Sequence, residues 1–287
     1  MSDLAAFEAE RPRLRRLAYR MLGSVSEAED VVQDAWLRWD RAGQGVDNPP
    51  AWLAQTTTRL CLDRMKSARA RRETYVGPWL PEPLIEEEPV DPVVRAEDVS
   101  VAFLLALERL SPLERAVFLL HDVFDQDYAQ VGAALGRDEA ACRQLASRAR
   151  SHLKEARPRY AVPQDQALRL AAAFMTASAS HDFEALENLL AKDAVLISDG
   201  GGKRKAALRP LVGREDVIAL LRGLAWRGPW MTALRGMRPA RINGLAGVIL
   251  TNDDGLTTMA FEPDAEGRLA AIYVIRNPEK LRHVAGS

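Results

Sequence analysis

The chain has 287 residues, a length that suits two or more domains better than one compact core. Hydrophobic residues make up 47% and charged residues 28%, which excludes a disordered or fibrous class. Lys and Arg total 39 against 40 Asp and Glu, a formal net charge of -1; as a sum this argues against a nucleic-acid binder, which usually carries a basic excess.

Cys61 and Cys142 lie far apart inside helical patterns, so neither a disulfide framework nor a zinc site is expected, and both read as small buried residues in a reducing compartment. The opening residues MSDLAAFEAERPRLRR lack the apolar stretch of a signal peptide, and no later run is apolar enough to span a bilayer. The expectation is a cytoplasmic protein without a membrane partner.

In chain order, Leu14, Leu17, Ala18, Met21 and Leu22 keep helical spacing up to Gly23. Ser26 with Glu29 has capping-box spacing and predicts a second helix from Glu27 to about Asp40 that buries Val31, Val32, Ala35 and Trp39. A turn-rich stretch, Gly43 to Pro50, leads into a third helix from Ala51 to about Arg72. From Tyr75 to Pro92, five prolines forbid a continuous helix and acidic residues dominate, so this stretch reads as an extended, mobile linker. Helical periodicity resumes at Val93. Ser111-Pro112-Leu113-Glu114 is a strong helix start, and Asp127 with Gln130 begins another helix that Gly136 breaks. Asp138 can cap a basic helix from Glu139 to about Arg157, and two helices joined by a short glycine-containing turn form the helix-turn-helix pattern.

Pro158 and Pro163 mark a second boundary. Helices near Gln164–Ala179, Asp182–Ala191 and Arg214–Gly223 then mix with strands at Ala194–Ser198, Thr232–Ile242, Gly247–Thr251, Leu256–Glu262 and Leu269–Ile275, an α+β domain with an antiparallel run.

Charge is segregated along this order. Arg59, Arg64, Lys66, Arg69, Arg71 and Arg72 face only Asp63 within the third helix, which suits either a phosphate backbone or a solvated face. Trp52, one turn inside that helix, can stack on an unpaired base or belong to the core. On the second basic helix Arg143, Gln144, Ser147 and Arg148 share one face and carry the donors and acceptors that read base edges, with Arg150 and Lys154 nearer phosphates. Helix-turn-helix geometry also occurs in ordinary helical bundles. Asp30, Gln33, Asp34 and Leu37 form an acidic stripe that is either inert or a docking face for a basic partner.

The runs SEAEDVVQDAWLRWDRA, NPPAWLAQTTTRLCLDRMKSARARRE and SPLERAVFLLHDVFDQDYAQVGAALGRDEAACRQLASRARSHL resemble, in order, the bacterial extracytoplasmic-function σ factors, the dissociable initiation subunits of RNA polymerase. The resemblance implies σ domain 2 over residues 1–75, a linker over 76–92 and σ domain 4 over 93–158. It implies that Asp30, Gln33, Asp34, Trp36 and Leu37 dock on the β′ coiled coil of core polymerase, with further contact to the β flap. It assigns the −10 element and its unpaired strand to Asn48, Trp52, Arg59, Arg64, Lys66, Arg69, Arg71 and Arg72, and the −35 duplex to Arg137, Arg143, Gln144, Ser147, Arg148, Arg150 and Lys154. The acidic linker matches a segment that threads toward the polymerase's RNA channel.

Residues 163–287 look like the SnoaL-like extension of one subgroup, a cone of curved antiparallel sheet closed by helices. Three strings carry that likeness: Trp79-Leu80-Pro81-Glu82-Pro83, Asp199-Gly200-Gly201-Gly202-Lys203 and Asn277-Pro278-Glu279-Lys280. They are expected as regulatory contacts between the extension and the σ domains, with a small ligand in the cone as one source of control. SnoaL relatives include cyclases with a carboxylate and often a histidine, but His181 and His283 have no carboxylate at a spacing that builds a site. Asp199–Lys203 also lacks the spacing of a phosphate loop. No catalysis, cofactor or metal is expected. Two other readings stand beside this one: a helix-turn-helix regulator acting without polymerase, and a cyclase or isomerase with a DNA-binding appendage.

Overall fold

The computed structural model describes residues 3–42, 46–86, 100–154, 162–226 and 234–284, and gives residues 68–73 as helical backbone only. It divides into two compact units, Met1–Thr74 with Ala102–Arg157, and Tyr75–Val101 with Pro158–Ser287.

The first unit is helical. Helix α1 (Asp3–Leu22) ends at Gly23, whose φ of 68° lets its N–H return to the Tyr19 carbonyl at 2.7 Å. Helix α2 (Val25–Ala42) starts two residues earlier than the Ser26 pattern predicts, because Ser24 caps it: Ser24 Oγ accepts from the Glu27 N–H at 3.1 Å. Helix α3 (Pro49–Glu73) also starts two residues early, with Asn48 Oδ1 accepting from the Ala51 N–H at 3.2 Å and Pro49 at the first helical position. Phe7, Leu14, Val32, Trp39 and Leu53 close the core of this bundle.

After α4 (Val101–Glu108), the predicted capping box forms at α5 (Pro112–Phe118), where Ser111 and Glu114 bond reciprocally. A single π-helical turn, Leu119–Val123, leads to α6 (Tyr128–Leu135), capped by Asp127 and Gln130 as predicted. Gly136 adopts φ 64° to end α6. Gly132 must stay bare because a Cβ there would lie 2.6 Å from the Arg137 carbonyl. Asp138 then caps α7 (Glu139–Lys154) through the Ala141 N–H at 2.7 Å; residues 155–161 lie outside the described set.

Arg115 joins the two halves of this unit. Its guanidinium is buried and donates both to the Met21 carbonyl and to Glu108 Oε1 at 2.7 Å, and burial lowers its pKa to about 10, which leaves it cationic at neutral pH.

The second unit is α+β. Helices α8 (Gln164–Ser180), α9 (Phe183–Leu189) and α10 (Arg214–Trp226) cover one face of a seven-stranded sheet: β1 (Ile85–Glu86), β2 (Leu190–Asp199), β3 (Leu211–Val212), β4 (Leu234–Ile242), β5 (Leu245–Asn252), β6 (Gly255–Pro263) and β7 (Leu269–Ile275), in the order β1-β4-β5-β6-β7-β2-β3. Phe174 of α8 meets Phe261 of β6 at 5.3 Å between ring centroids in the middle of the core. The sheet is mixed rather than antiparallel throughout, because β2 runs parallel to β7 with Leu196 opposite Ile272. Strand β2 also begins at Leu190, inside the stretch read as helix.

The largest departure concerns the linker. Residues 75–86 belong to the second unit: Leu80 is fully buried, Glu82 is buried, and Ile85 pairs with Ile242 of β4 as an edge strand of the sheet. Apolar Leu80 and Ile85 give this stretch something to bury, which outweighs the acidic composition that suggested a mobile segment. The remainder of the linker, 87–92, lies outside the described residues.

Candidate polymerase and promoter interface

Helix α2 turns Ala28, Val31, Val32, Ala35 and Trp39 inward, and this leaves Asp30, Gln33 and Leu37 exposed on its outer face with Asp34 partly so. Trp36 stands apart from that stripe, half-buried with its ring 4.9 Å from Phe7. One residue of α3 reaches the stripe. Arg64 donates from Nη1 to Asp30 Oδ2 at 3.2 Å and from Nη2 to Asp34 Oδ2 at 3.1 Å, so a single guanidinium spans two carboxylates one helical turn apart.

The other α3 residues read from sequence as promoter contacts are dispersed. Asn48 caps the helix, and Trp52 packs at 5.6 Å on Trp39, a core role. Arg59 donates from Nε to the Ala134 carbonyl at 2.9 Å and from Nη2 to the Ala133 carbonyl at 3.3 Å, while Gln55 Nε2 donates to the same Ala133 carbonyl at 2.7 Å. These are end carbonyls of α6, unsatisfied within that helix and negative in its dipole, so a cation and an amide are well matched to them. Lys66 pairs at the surface with Asp63 at 2.8 Å. The side chains of Arg69, Arg71 and Arg72 lie outside the described residues.

Helix α7 does gather its set. Cys142, Ala146 and Ala149 face inward, small enough for the helix to sit close on α5, and Arg143, Gln144, Ser147, Arg148, Arg150 and Lys154 are all exposed, as is Arg137 in the turn before it. Three carboxylate contacts and one ring contact position the cations without burying them: Arg143 pairs with Glu139 and lies 5.5 Å over the Tyr128 ring, Arg148 lies 3.7 Å from Glu114, and Arg150 Nε donates to Asp122 at 2.7 Å. Glu114 has a lowered pKa: burial works against this, but the Ser111 hydroxyl and N–H and the charges of His152 and Arg148 outweigh it.

In the second unit the three strings read from sequence converge on one buried cluster. Asp199, at the end of β2, has no exposed surface and accepts three bonds: from the Tyr75 hydroxyl at 2.6 Å, from the Leu80 N–H at 2.8 Å and from Lys280 Nζ at 2.7 Å. Lys280 also donates to the Leu80 carbonyl and sits 4.2 Å from the Trp79 ring and 4.9 Å from that of Tyr75. Asn277 Nδ2 donates to the Tyr75 hydroxyl at 2.8 Å, and Lys203 pairs with Glu279. The glycines are sterically required. A Cβ on Gly200 would lie 2.1 Å from the Arg204 carbonyl, and one on Gly201, at φ 59°, would lie 2.2 Å from Asn277 Nδ2. Of the strings, Pro81, Glu82 and Pro83 are buried, and Pro83's carbonyl meets His283 Nε2 at 2.7 Å. Tyr75 escaped the sequence reading, although it stands four residues before Trp79 and its ring closes the cluster. Arg115 and Gln55 were missed as well.

A three-helix lobe with an exposed acidic helix face, followed by a helix-turn-helix lobe with an exposed basic face, is the arrangement of a σ-type transcription initiation subunit. Residues 6–71 match the Sigma-70 region 2 family and residues 100–153 the Sigma-70, region 4 family. The chain is 38% identical over 292 residues to the ECF RNA polymerase sigma factor SigJ of Mycobacterium tuberculosis, covering 97% of this chain and 93% of that protein. It is 39% identical over 191 residues to the probable ECF RNA polymerase sigma factor SigI of the same species, 65% of this chain and 66% of that one. The crystal structure of M. tuberculosis SigJ matches with a TM-score of 0.78 at 35% sequence identity, covering 97% of this chain and 98% of that one. The chain therefore belongs to the ECF RNA polymerase sigma factors.

Proposed function

We propose that this chain binds core RNA polymerase through the acidic face of α2, carries it to promoters through α3 and α7, and is controlled by its own C-terminal unit. The observation that carries the promoter reading is the α7 face, where Arg143, Gln144, Ser147 and Arg148 are exposed together on a helix entered through a capped turn. No chemical step is asked of the protein: binding energy extrudes promoter bases and captures them as single strand. Run-off transcription with purified core polymerase tests it. The expected result is a transcript from a cognate promoter that depends on the chain. A regulator acting alone would instead bind promoter duplex equally well without core enzyme and yield none.

Control in cis is supported by the Asp199 cluster, which ties residues 75–80, a segment lying between the two σ domains in sequence, to β2 and the C-terminal turn. Deleting residues 162–287, or only the tail past Arg276, should change promoter-dependent transcription, because the shorter cut already removes Asn277 and Lys280 and strands the buried Asp199. Unchanged activity in both would remove the regulatory role.

A small-ligand role has one supporting feature. A cavity of about 800 Å³ lies between α8 and strands β4 and β5, lined by Leu168, Ala172, Met175, Met237, Pro239 and Val248 among others. Its size suits a small molecule and its lining an uncharged, apolar one. An enzymatic reading draws no comparable support: His181 serves as the left-handed end of α8, His283 bonds to the Pro83 carbonyl, and the buried Glu262 accepts from the Tyr273 hydroxyl at 2.6 Å.

A further inference from the structure

Sequence reasoning gives Arg64 to promoter DNA and Asp30 and Asp34 to polymerase, yet the structure joins the three. Both carboxylates use Oδ2 toward the guanidinium, and no hydrogen bond to either Oδ1 occurs among the described residues. The carboxylates remain accessible, with side chains 63% and 45% exposed. Exposed ion pairs contribute little to stability, so this fork is poorly explained as a fold-holding device. Its geometric effect is larger. Two aspartates on a helix surface repel and sample several rotamers, whereas a rigid planar fork anchored on the neighbouring helix fixes one oxygen of each and turns the other pair outward.

We propose that Arg64 is a positioning residue of the polymerase-docking face: it holds Asp30 and Asp34 as a preorganised pair that receives cationic side chains of core polymerase. The inference rests on the α2 docking proposed above. It makes a prediction opposite in sign to simple charge balance. Removing a cation from an acidic face should tighten a basic partner electrostatically, but loss of the fork leaves two mobile carboxylates whose ordering must then be supplied on binding.

The test uses the full chain and purified core polymerase, with association measured at two salt concentrations alongside open-complex formation per bound polymerase. Arg64→Gln should weaken core association on the order of tenfold with unchanged thermal stability, and Arg64→Lys should recover only part of it, since an ammonium cannot span both carboxylates in a fixed plane. In the Asp30→Asn/Asp34→Asn background the effect of Arg64→Gln should vanish, which a purely structural role would not produce. Unchanged core affinity with impaired promoter opening would overturn the proposal and return Arg64 to DNA. Tighter core binding by Arg64→Gln would overturn it in favour of simple masking. If the double aspartate variant binds core normally, the docking assignment itself has failed, and that outcome is distinct from the other two.

Discussion

Asp199 shows how much can rest on a single side chain. A carboxylate with no exposed surface is sustained by a lysine, a tyrosine hydroxyl and a backbone N–H at once. A charge buried in this way is costly unless every partner is kept. Asp199→Asn keeps the shape but leaves Lys280 without its counter-ion, so unfolding of the C-terminal unit should lose about 3–5 kcal/mol in denaturant titration; a loss below about 1 kcal/mol would mean that Lys280 reaches water. The same cluster carries a pH dependence. Burial, and then the adjacent Asp199 carboxylate, hold the Tyr75 hydroxyl above its ordinary pKa, so the folded state favours the protonated phenol. The stabilisation it brings is fully present below the ordinary tyrosine value of about 10 and declines as pH rises beyond it. Tyrosinate absorbance against pH should show a late-titrating component in the native protein, and Tyr75→Phe should reduce its amplitude by one tyrosine.

At the scale of elements, what was legible in the sequence was local. The capping boxes at Ser111 and Asp127, the stop at Gly136 and the cap at Asp138 each depend on residues within four positions, and each forms as read. Ser24 took the cap that Ser26 was expected to hold because both serines offer a hydroxyl and only the Gly23 turn decides between them. Long-range pairing was not legible. Strand β1 has two residues and a partner in β4, and nothing within residues 75–86 announces that edge or the parallel pairing of β2 with β7. The strings containing Trp79, Asp199 and Lys280 were recognisable as related, but their meeting around one carboxylate was a property of the folded unit. The α7 reading makes two predictions of different kinds. Arg148→Ala should cost roughly 1–3 kcal/mol of promoter binding and relax one −35 position, while its 3.7 Å contact to the buried Glu114, made from a largely exposed side chain, should contribute little to stability. Lys154→Ala should weaken binding evenly across sequences and lower the salt slope by about one. Competition gel shifts of the reconstituted holoenzyme on matched and scrambled −35 duplexes separate them, and equal losses on both for Arg148→Ala would refute its base-reading role.

At the scale of the molecule, the near-neutral total charge of -1 is a sum of opposites, and in the first unit several of the cations read as promoter contacts are engaged within the protein. Arg64 is engaged by α2, and Arg59 with Gln55 is engaged by the end of α6, which belongs to the helix-turn-helix lobe. Arg115 and Arg13 add bonds across the same two lobes, to the Met21 and Phe124 carbonyls. Arg59 is committed to helix-end carbonyls, so on the proposed promoter reading DNA competes with α6 for it. This competition can be relaxed without touching a promoter-assigned residue. Gln55→Ala removes one neutral hydrogen bond of the seam, worth about 1 kcal/mol or roughly fivefold in an equilibrium, and leaves every proposed DNA contact in place. Arg59→Ala loosens the same seam but also forfeits a cation. If seam opening limits promoter engagement, Gln55→Ala should raise the affinity of the free chain for a −10/−35 promoter fragment by up to about fivefold, while Arg59→Ala should show a smaller gain or a loss. Fluorescence anisotropy measures both, and energy transfer between labels on α1 and α7 reports the opening directly. Equal affinity of Gln55→Ala and the unaltered chain, with transfer efficiency lowered, would show that the seam opens without governing DNA binding.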